Sequence, residues 1–245
     1  MPKIIVIMPA YNVEKFIRAT IERIPKKTIH KLIVIDDCST DNTGEEAKKA
    51  SVNFDFSLIK NDKNLGYGGV QKKGCMLALN QGADIVVLLH GDGQYAPEEL
   101  PGLLKPLKEK KADIVLGSRI LGKKAIQGGM PLYKFIGNKI LTYIENISFG
   151  MDLSEYHSGY VLYSRKALEL IPFQKLSNTF HIDGECLLIA KKLNLRIVEK
   201  PIGTLYEAQK SNVNSIAYGF TVLKVVLDNF FGKYDKLIQE SKKQL

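Results

Sequence analysis

Five times in the first 120 residues a short run of β-branched and apolar residues gives way to a polar turn, and four of these turns lead into helix-like sequence. The runs cover 3–8, 30–35, 54–60, 84–89 and 113–116. Between them lie repeats such as Val13, Phe16, Ile17, Ile21 and Ile24, or Leu100, Leu103, Leu104 and Leu107, whose spacing of three and four predicts helices. Thr43 and Glu46 have the spacing of a capping box for the second of these helices. Strands that alternate with helices predict an α/β chain with a mainly parallel central sheet flanked by helices on both faces.

In such sheets ligands bind at the carboxyl ends of the strands, near a switch in strand order. The unusual residues of this chain sit there. Pro9-Ala10-Tyr11-Asn12, the turn from Asp36 to Asp41, His90-Gly91-Asp92-Gly93-Gln94 and Gly117-Ser118-Arg119 each follow an apolar run directly. One mouth can collect them all.

The second half is less regular, with a basic amphipathic helix expected over 131–147, a strand over 158–163, a helix over 182–193 and a strand over 195–202. In the last segment Ile216, Phe220, Leu223, Leu227, Phe230, Tyr234 and Leu237 step by three and four, which predicts one long amphipathic helix. The expected organisation is one domain over 1–212 and a C-terminal helix over 213–245. That helix packs on the domain, pairs with a second copy in a homo-oligomer, or lies on a membrane.

No apolar run approaches the length of a membrane-spanning helix. The first residues enter a strand with no leader pattern, and three scattered cysteines suit a reducing compartment. A cytoplasmic location, peripheral at the cytoplasmic membrane face, is the expectation. The net charge is +9, and between 105 and 139 nine Lys or Arg face only Glu109 and Asp113. A basic patch of that kind asks for an anionic partner.

Neither common nucleotide cradle is present: no GxGxxG follows the first strand and no GxxxxGK[ST] occurs. The turns are acidic instead, through Asp36, Asp37, Asp41 and Asp92. Carboxylates repel phosphate, but they accept from base N–H groups or ribose hydroxyls and hold divalent cations. Asp92 lies between glycines that let the backbone approach a ligand, and Gln94 adds a neutral oxygen two residues on. His90 has two readings. It is either a nitrogen ligand favouring Mn²⁺ over Mg²⁺ or a bystander with its ring hydrogen-bonded.

Together with Asn64-Leu65-Gly66 and Ser158-Gly159-Tyr160, these motifs resemble the family 2 glycosyltransferases. The match is to the branch of dolichyl-phosphate mannose and polyprenyl-phosphate glucose synthases, over about 3–212. The resemblance implies a GT-A-type nucleotide-sugar-binding fold and a divalent cation, Mn²⁺ or Mg²⁺. It also implies a nucleotide sugar (GDP- or UDP-linked), inversion at the anomeric carbon, and a polyprenyl phosphate as acceptor, with no nucleic acid involved.

Carried over residue by residue, the donor is met by Pro9, Ala10, Tyr11, Asn12, Glu14, Asp36, Asp37, Gly66, Gly91 and Asp92. The metal falls to Asp92 and Gln94, with His90 as the further candidate. Arg119, Lys134 and Ser158 fall to the acceptor phosphate, and Asp92 and Arg119 to catalysis. A membrane surface or membrane protein is the partner such an acceptor implies. A phosphate monoester is already an anionic nucleophile at neutral pH and needs no strong base.

The chain departs from the branch in three places. His90 stands where the metal motif usually has aspartate, Val13 stands where an acid usually follows Tyr-Asn, and Tyr206 to Asn212 lacks the arginines many relatives carry. Three competing readings remain. In the first, a glycosyltransferase acts on a soluble glycan, with Asp183 or Glu185 as the base. The second is a nucleotidyltransferase, against which Pro9-Ala10-Tyr11-Asn12 argues. In the third, a non-catalytic nucleotide-binding subunit has His90 marking a decayed site.

Overall fold

The computed structural model describes residues 1–50, 52–122, 125–204 and 214–242. Seven strands form one sheet: β1 (Ile4–Ala10), β2 (Lys31–Asp36), β3 (Asp55–Lys60), β4 (Ile85–Leu88), β5 (Ile114–Ser118), β6 (Val161–Ser164) and β7 (Ile197–Pro201). Their order is β3-β2-β1-β4-β6-β5-β7. Only β6 runs against its neighbours, β4 and β5, so the sheet is mainly parallel as expected.

The helices are α1 (Ile17–Glu22), α2 (Thr43–Lys48), α3 (Gly66–Asn80), α4 (Leu100–Lys108), α5 (Leu132–Phe149), α6 (Arg165–Leu170), α7 (Ile182–Lys192), α8 (Ser215–Phe230) and α9 (Lys233–Lys242). Period-two alternation divides the strands between two cores. Ile5, Ile7, Ile33, Ile35 and Val86 pack under α3 and α7, whereas Val6, Met8, Val34 and Val87 pack under α1 and α4. Burial on both faces is why these strands read as unbroken apolar runs.

Three expectations are corrected. The first helix begins at Ile17 rather than Val13, because the N–H groups of Asn12, Val13 and Glu14 donate to Ser39 Oγ, Thr43 Oγ1 and Asp41 Oδ2. No capping box forms. Thr43 is the first residue of α2, its N–H and hydroxyl donate to Asp41 Oδ1 at 3.0 and 2.6 Å, and Glu46 pairs with Lys49.

The long C-terminal helix is instead two helices, broken at Gly232, whose φ of +72° is in the left-handed region that stops a helix. After that break the chain turns back. Tyr234 is 1% exposed and donates to Glu185 Oε1 at 2.9 Å, while α8 lies against α5. The sequence stripe is thereby split: Tyr234 and Leu237 join a core, and Phe220 and Phe230 stay exposed.

Asp113 stitches the start of β5 to the start of β7 by accepting from Arg196 N, Nε and Nη2 at 2.9, 3.0 and 3.1 Å. The Arg196 hydrogen bonds hold its carboxyl down at about 2. A depressed folded pKa stabilises the fold above the unfolded value and loses that contribution as pH falls through the folded one. Asp113→Asn is therefore expected to lower the urea midpoint at pH 7. The gap from the parent should close as pH falls from about 4 toward 2.

Candidate active site

The strand order runs outward in both directions from the neighbours β1 and β4, so the loops after these strands open on the sheet's switch point. Gly91 N donates to Pro9 O at 3.2 Å and Asp37 N to Ala10 O at 2.8 Å, which joins the first three turns into one floor. Asn12, at φ +52°, accepts from Thr40 N at 2.9 Å, and Glu14 accepts from Asn42 N at 3.0 Å. Asn12 and Glu14 therefore lace two loops together. Tyr11, 40% exposed, and the exposed Asn12 are open to a ligand in this loop.

The adjacent aspartates part ways. Asp36, the last residue of β2, accepts from Ser39 N at 2.8 Å and lines a cavity of about 410 Å³ with Asp41, Asn42, Lys48 and Lys60. Asp37 accepts from Asn61 Nδ2, Leu65 N and Gly66 N at 2.7, 2.8 and 3.0 Å. Those bonds clamp the Asn64-Leu65-Gly66 turn. Asp37 and Gly66, both expected at the donor, are joined directly by one of these bonds.

Asp92 Oδ1 accepts from Gln94 N at 3.0 Å, which closes the turn after β4 and leaves Asp92 and Gln94 half-buried. A carboxylate and a side-chain amide oxygen are hard donors that suit Mg²⁺ or Mn²⁺. His90 stands edge-on to Tyr67 and Tyr95, with centroids 5.1 and 5.3 Å away. Its Nε2 is 3.0 Å from Tyr67 Oη, and Tyr67 donates its proton to Asp183 Oδ2 at 2.8 Å.

That network assigns the His90 proton to Nε2 and the lone pair to Nδ1. Burial keeps the ring neutral by lowering its pKa, and burial pushes Asp183 up to about 6. Nδ1 is thus the one ring nitrogen suited to a metal. Gly159 packs on this ring so closely that a Cβ would lie 2.4 Å from His90 Cε1. Gly159→Ala is expected to lose about 1–3 kcal/mol in urea unfolding. The same variant should weaken nucleoside diphosphate binding in calorimetry, because His90 adjoins the Asp92 turn.

Arg119 follows β5. Its backbone N and Nε donate to Glu155 Oε2 and Oε1, both at 2.8 Å; its Nη2 pairs with Oε1 and reaches His157 O at 2.7 Å. Glu155 is fully buried and also accepts from Asn138 Nδ2 of α5 at 2.9 Å. The charge of Arg119 is therefore offset in place. Ser158 is 1% exposed, with its Oγ 3.4 Å from Tyr160 N. Lys134, half-buried in the first turn of α5, has no ion pair or side-chain hydrogen bond among the described residues.

Both candidate bases are buried and hydrogen-bonded. Asp183 is buried and accepts from Tyr67 and from Gln71 Nε2 at 3.0 Å. Glu185 is buried and accepts from Ser177 N at 3.0 Å, Ser177 Oγ and Tyr234. The departure noted over Tyr206 to Asn212 lies outside the described residues. Sequence reasoning missed Glu155 and the Tyr67–Asp183 pair, since their partners are 36 and 116 residues apart in the chain.

The profile described as glycosyl transferase family 2 matches residues 5–171. The chain belongs to glycosyl transferase family 2. Within it, the chain is 32% identical over 244 residues to a UDP-N-acetylglucosamine–dolichyl-phosphate N-acetylglucosaminyltransferase of Methanococcus voltae, covering 94% of this chain and 97% of that one. It is 27% identical over 210 residues to an undecaprenyl-phosphate mannosyltransferase of Micrococcus luteus, covering 82% of each.

In structure it resembles glucosyl-3-phosphoglycerate synthase of Mycobacterium tuberculosis, solved with Mg²⁺ and UDP. The TM-score is 0.70 at 20% identity, covering 93% of this chain and 79% of that one. The family 2 fold is thus the GT-A type expected. Membership of the family makes the chain a glycosyltransferase rather than a nucleotidyltransferase.

Proposed function

We propose that this glycosyltransferase moves a hexose from a UDP-linked donor to the phosphate of a polyprenyl phosphate, working at a membrane surface with a divalent cation. The observation that carries this reading is the two-sidedness of α5. Its inner face reaches the mouth through Asn138, which donates to the Glu155 that pairs Arg119, while Tyr133, Ile136, Ile140, Tyr143 and Ile147 lie exposed on its outer face.

Exposed Ile216, Phe220, Leu227 and Phe230 of α8 extend that apolar surface, and a groove of about 630 Å³ runs between the two helices. A contiguous apolar face of this kind suits a lipid surface, with the lipid's phosphate turned toward Lys134. No helix among the described residues is long and apolar enough to cross a membrane.

In this reading Tyr11 and Asp36 hold the nucleotide, and Asp92 with Gln94 holds the cation. A bound cation supplies positive charge that stabilises the departing diphosphate. A phosphate oxygen of the acceptor forms the new bond to the anomeric carbon as the bond from that carbon to the diphosphate breaks, and nucleoside diphosphate leaves. Arg119 and Lys134 position the acceptor phosphate against a donor that repels it. No base is required, which agrees with Asp183 and Glu185 being buried and committed elsewhere. The UDP assignment follows the name of the Methanococcus relative.

The test incubates the protein with labelled UDP-sugars, Mn²⁺ or Mg²⁺ and a polyprenyl phosphate, and counts label extracted into organic solvent. Label confined to the aqueous phase overturns the acceptor assignment. The membrane face has its own test, flotation with anionic vesicles. Phe220→Glu with Phe230→Glu is expected to weaken vesicle binding about 100-fold, from the apolar area withdrawn, with nucleotide affinity unchanged.

A further inference from the structure

Next to Arg119, which donates to the His157 carbonyl, four buried polar atoms converge without hydrogen bonds: both carboxylate oxygens of Glu145 and Nε2 of His157 and of His181. The side chains of Glu145 and His181 are 0% exposed and that of His157 is 7% exposed. His157 Nε2 lies 3.2 Å from Glu145 Oε2, and His181 Nε2 lies 3.3 Å from Oε1. Neither nitrogen is aligned to hydrogen-bond the oxygen it approaches.

Atoms this close that point past one another share a target between them. Ligands about 2.0–2.1 Å from a tetrahedral zinc lie about 3.3 Å apart, the separation found in both pairs. The other side of the rings supports the same protonation. Tyr218 Oη is 2.8 Å from His157 Nδ1 and 3.1 Å from His181 Nδ1. A phenol oxygen has two lone pairs, and accepting from both Nδ1–H groups leaves both Nε2 atoms unprotonated, each with a free lone pair. Such an outer partner is what fixes the tautomer and orientation of ligating histidines.

Space has also been made for the ring: a Cβ on Gly184 would fall 2.2 Å from His181 Cε1. Among the described residues this is the group of His, Cys, Asp and Glu able to hold a metal ion.

We infer that Glu145, His157 and His181 bind a zinc ion, separate from the cation site at Asp92. Two imidazoles and a carboxylate select zinc over the magnesium that all-oxygen sites hold. The ion ties α5, the turn before β6, the start of α7 and, through Tyr218, α8. It also fixes the carbonyl of His157 that receives Arg119.

The test uses the full chain carrying Asp92→Ala, so that the other cation site is removed. After dialysis against a mild chelator, metal content is measured by mass spectrometry. The stripped protein is then titrated with Co²⁺, with Zn²⁺ as competitor. About one zinc per chain and the visible bands of tetrahedral Co²⁺, bleached by Zn²⁺, are expected. Adding His181→Gln or Glu145→Gln should lower zinc affinity about 100-fold with the circular dichroism spectrum of a folded chain. Absence of Co²⁺ bands in folded Asp92→Ala protein, or equal zinc affinity with and without these ligand substitutions, overturns the inference.

Discussion

Asp92→Ala is expected to lower kcat about a thousandfold, equivalent to about 4 kcal/mol of transition-state stabilisation. The reason is positional. Asp92 is the carboxylate that the sheet delivers to its switch point, in a turn whose backbone is bonded to Pro9 O and whose side chain orders Gln94. In the proposed mechanism, removing it takes away the anionic donor that localises a cation where the diphosphate departs.

Its hydrogen bond with Gln94 N is local, to an amide two residues away, and the thermal midpoint should stay within a few degrees of the parent. Initial rates at saturating donor and acceptor check this, with added Mn²⁺ restoring little. A loss under tenfold shows that Asp92 does not carry the cation.

Glu155→Gln is expected to be the most damaging single change to stability, about 3–5 kcal/mol, or roughly 10 °C in Tm. Arg119 is 8% exposed and Glu155 fully buried, so losing the carboxylate charge strands a desolvated guanidinium. Glu155 also receives Asn138 from α5, and the loss therefore loosens the helix that borders the mouth.

A double change, Arg119→Met with Glu155→Met, separates the two effects. It removes both charges, should be markedly more stable than Glu155→Gln, and should still be inactive if Arg119 positions phosphate. Calorimetric melting and transfer rates of the three proteins decide the matter.

Most of the fold was legible because its strands are buried on both faces and its loops are polar. The alternation of Ile5 and Ile7 with Val6 and Met8 needs no partner sequence to be read. Asp36, His90 and Asp92 were legible for the same reason, since a polar side chain directly after such a run sits at a strand's carboxyl end.

What the sequence hid was pairing over distance. Asp36 and Asp37 look alike until Asn61, Leu65 and Gly66 return to claim the second. Arg119 reads as a lone cation after β5, and the carboxylate of Glu155 that holds it in place comes from 36 residues further on. The C-terminal stripe keeps helical spacing straight through Gly232, because periodicity does not register a backbone turn of φ +72°. Glu145, His157 and His181 carry no ligand spacing, and only the meeting of α5, α7 and the turn before β6 brings them together.

The central claim is that the acceptor brings its own anionic nucleophile. Its most direct measurement compares transfer to a polyprenyl phosphate with transfer to the same polyprenol lacking the phosphate, under identical donor, cation and detergent. The account predicts turnover with the phosphate and none above background with the alcohol, because Asp183 and Glu185 are buried and no other base is invoked. Comparable rates with the alcohol, or with a soluble glycan, would contradict it.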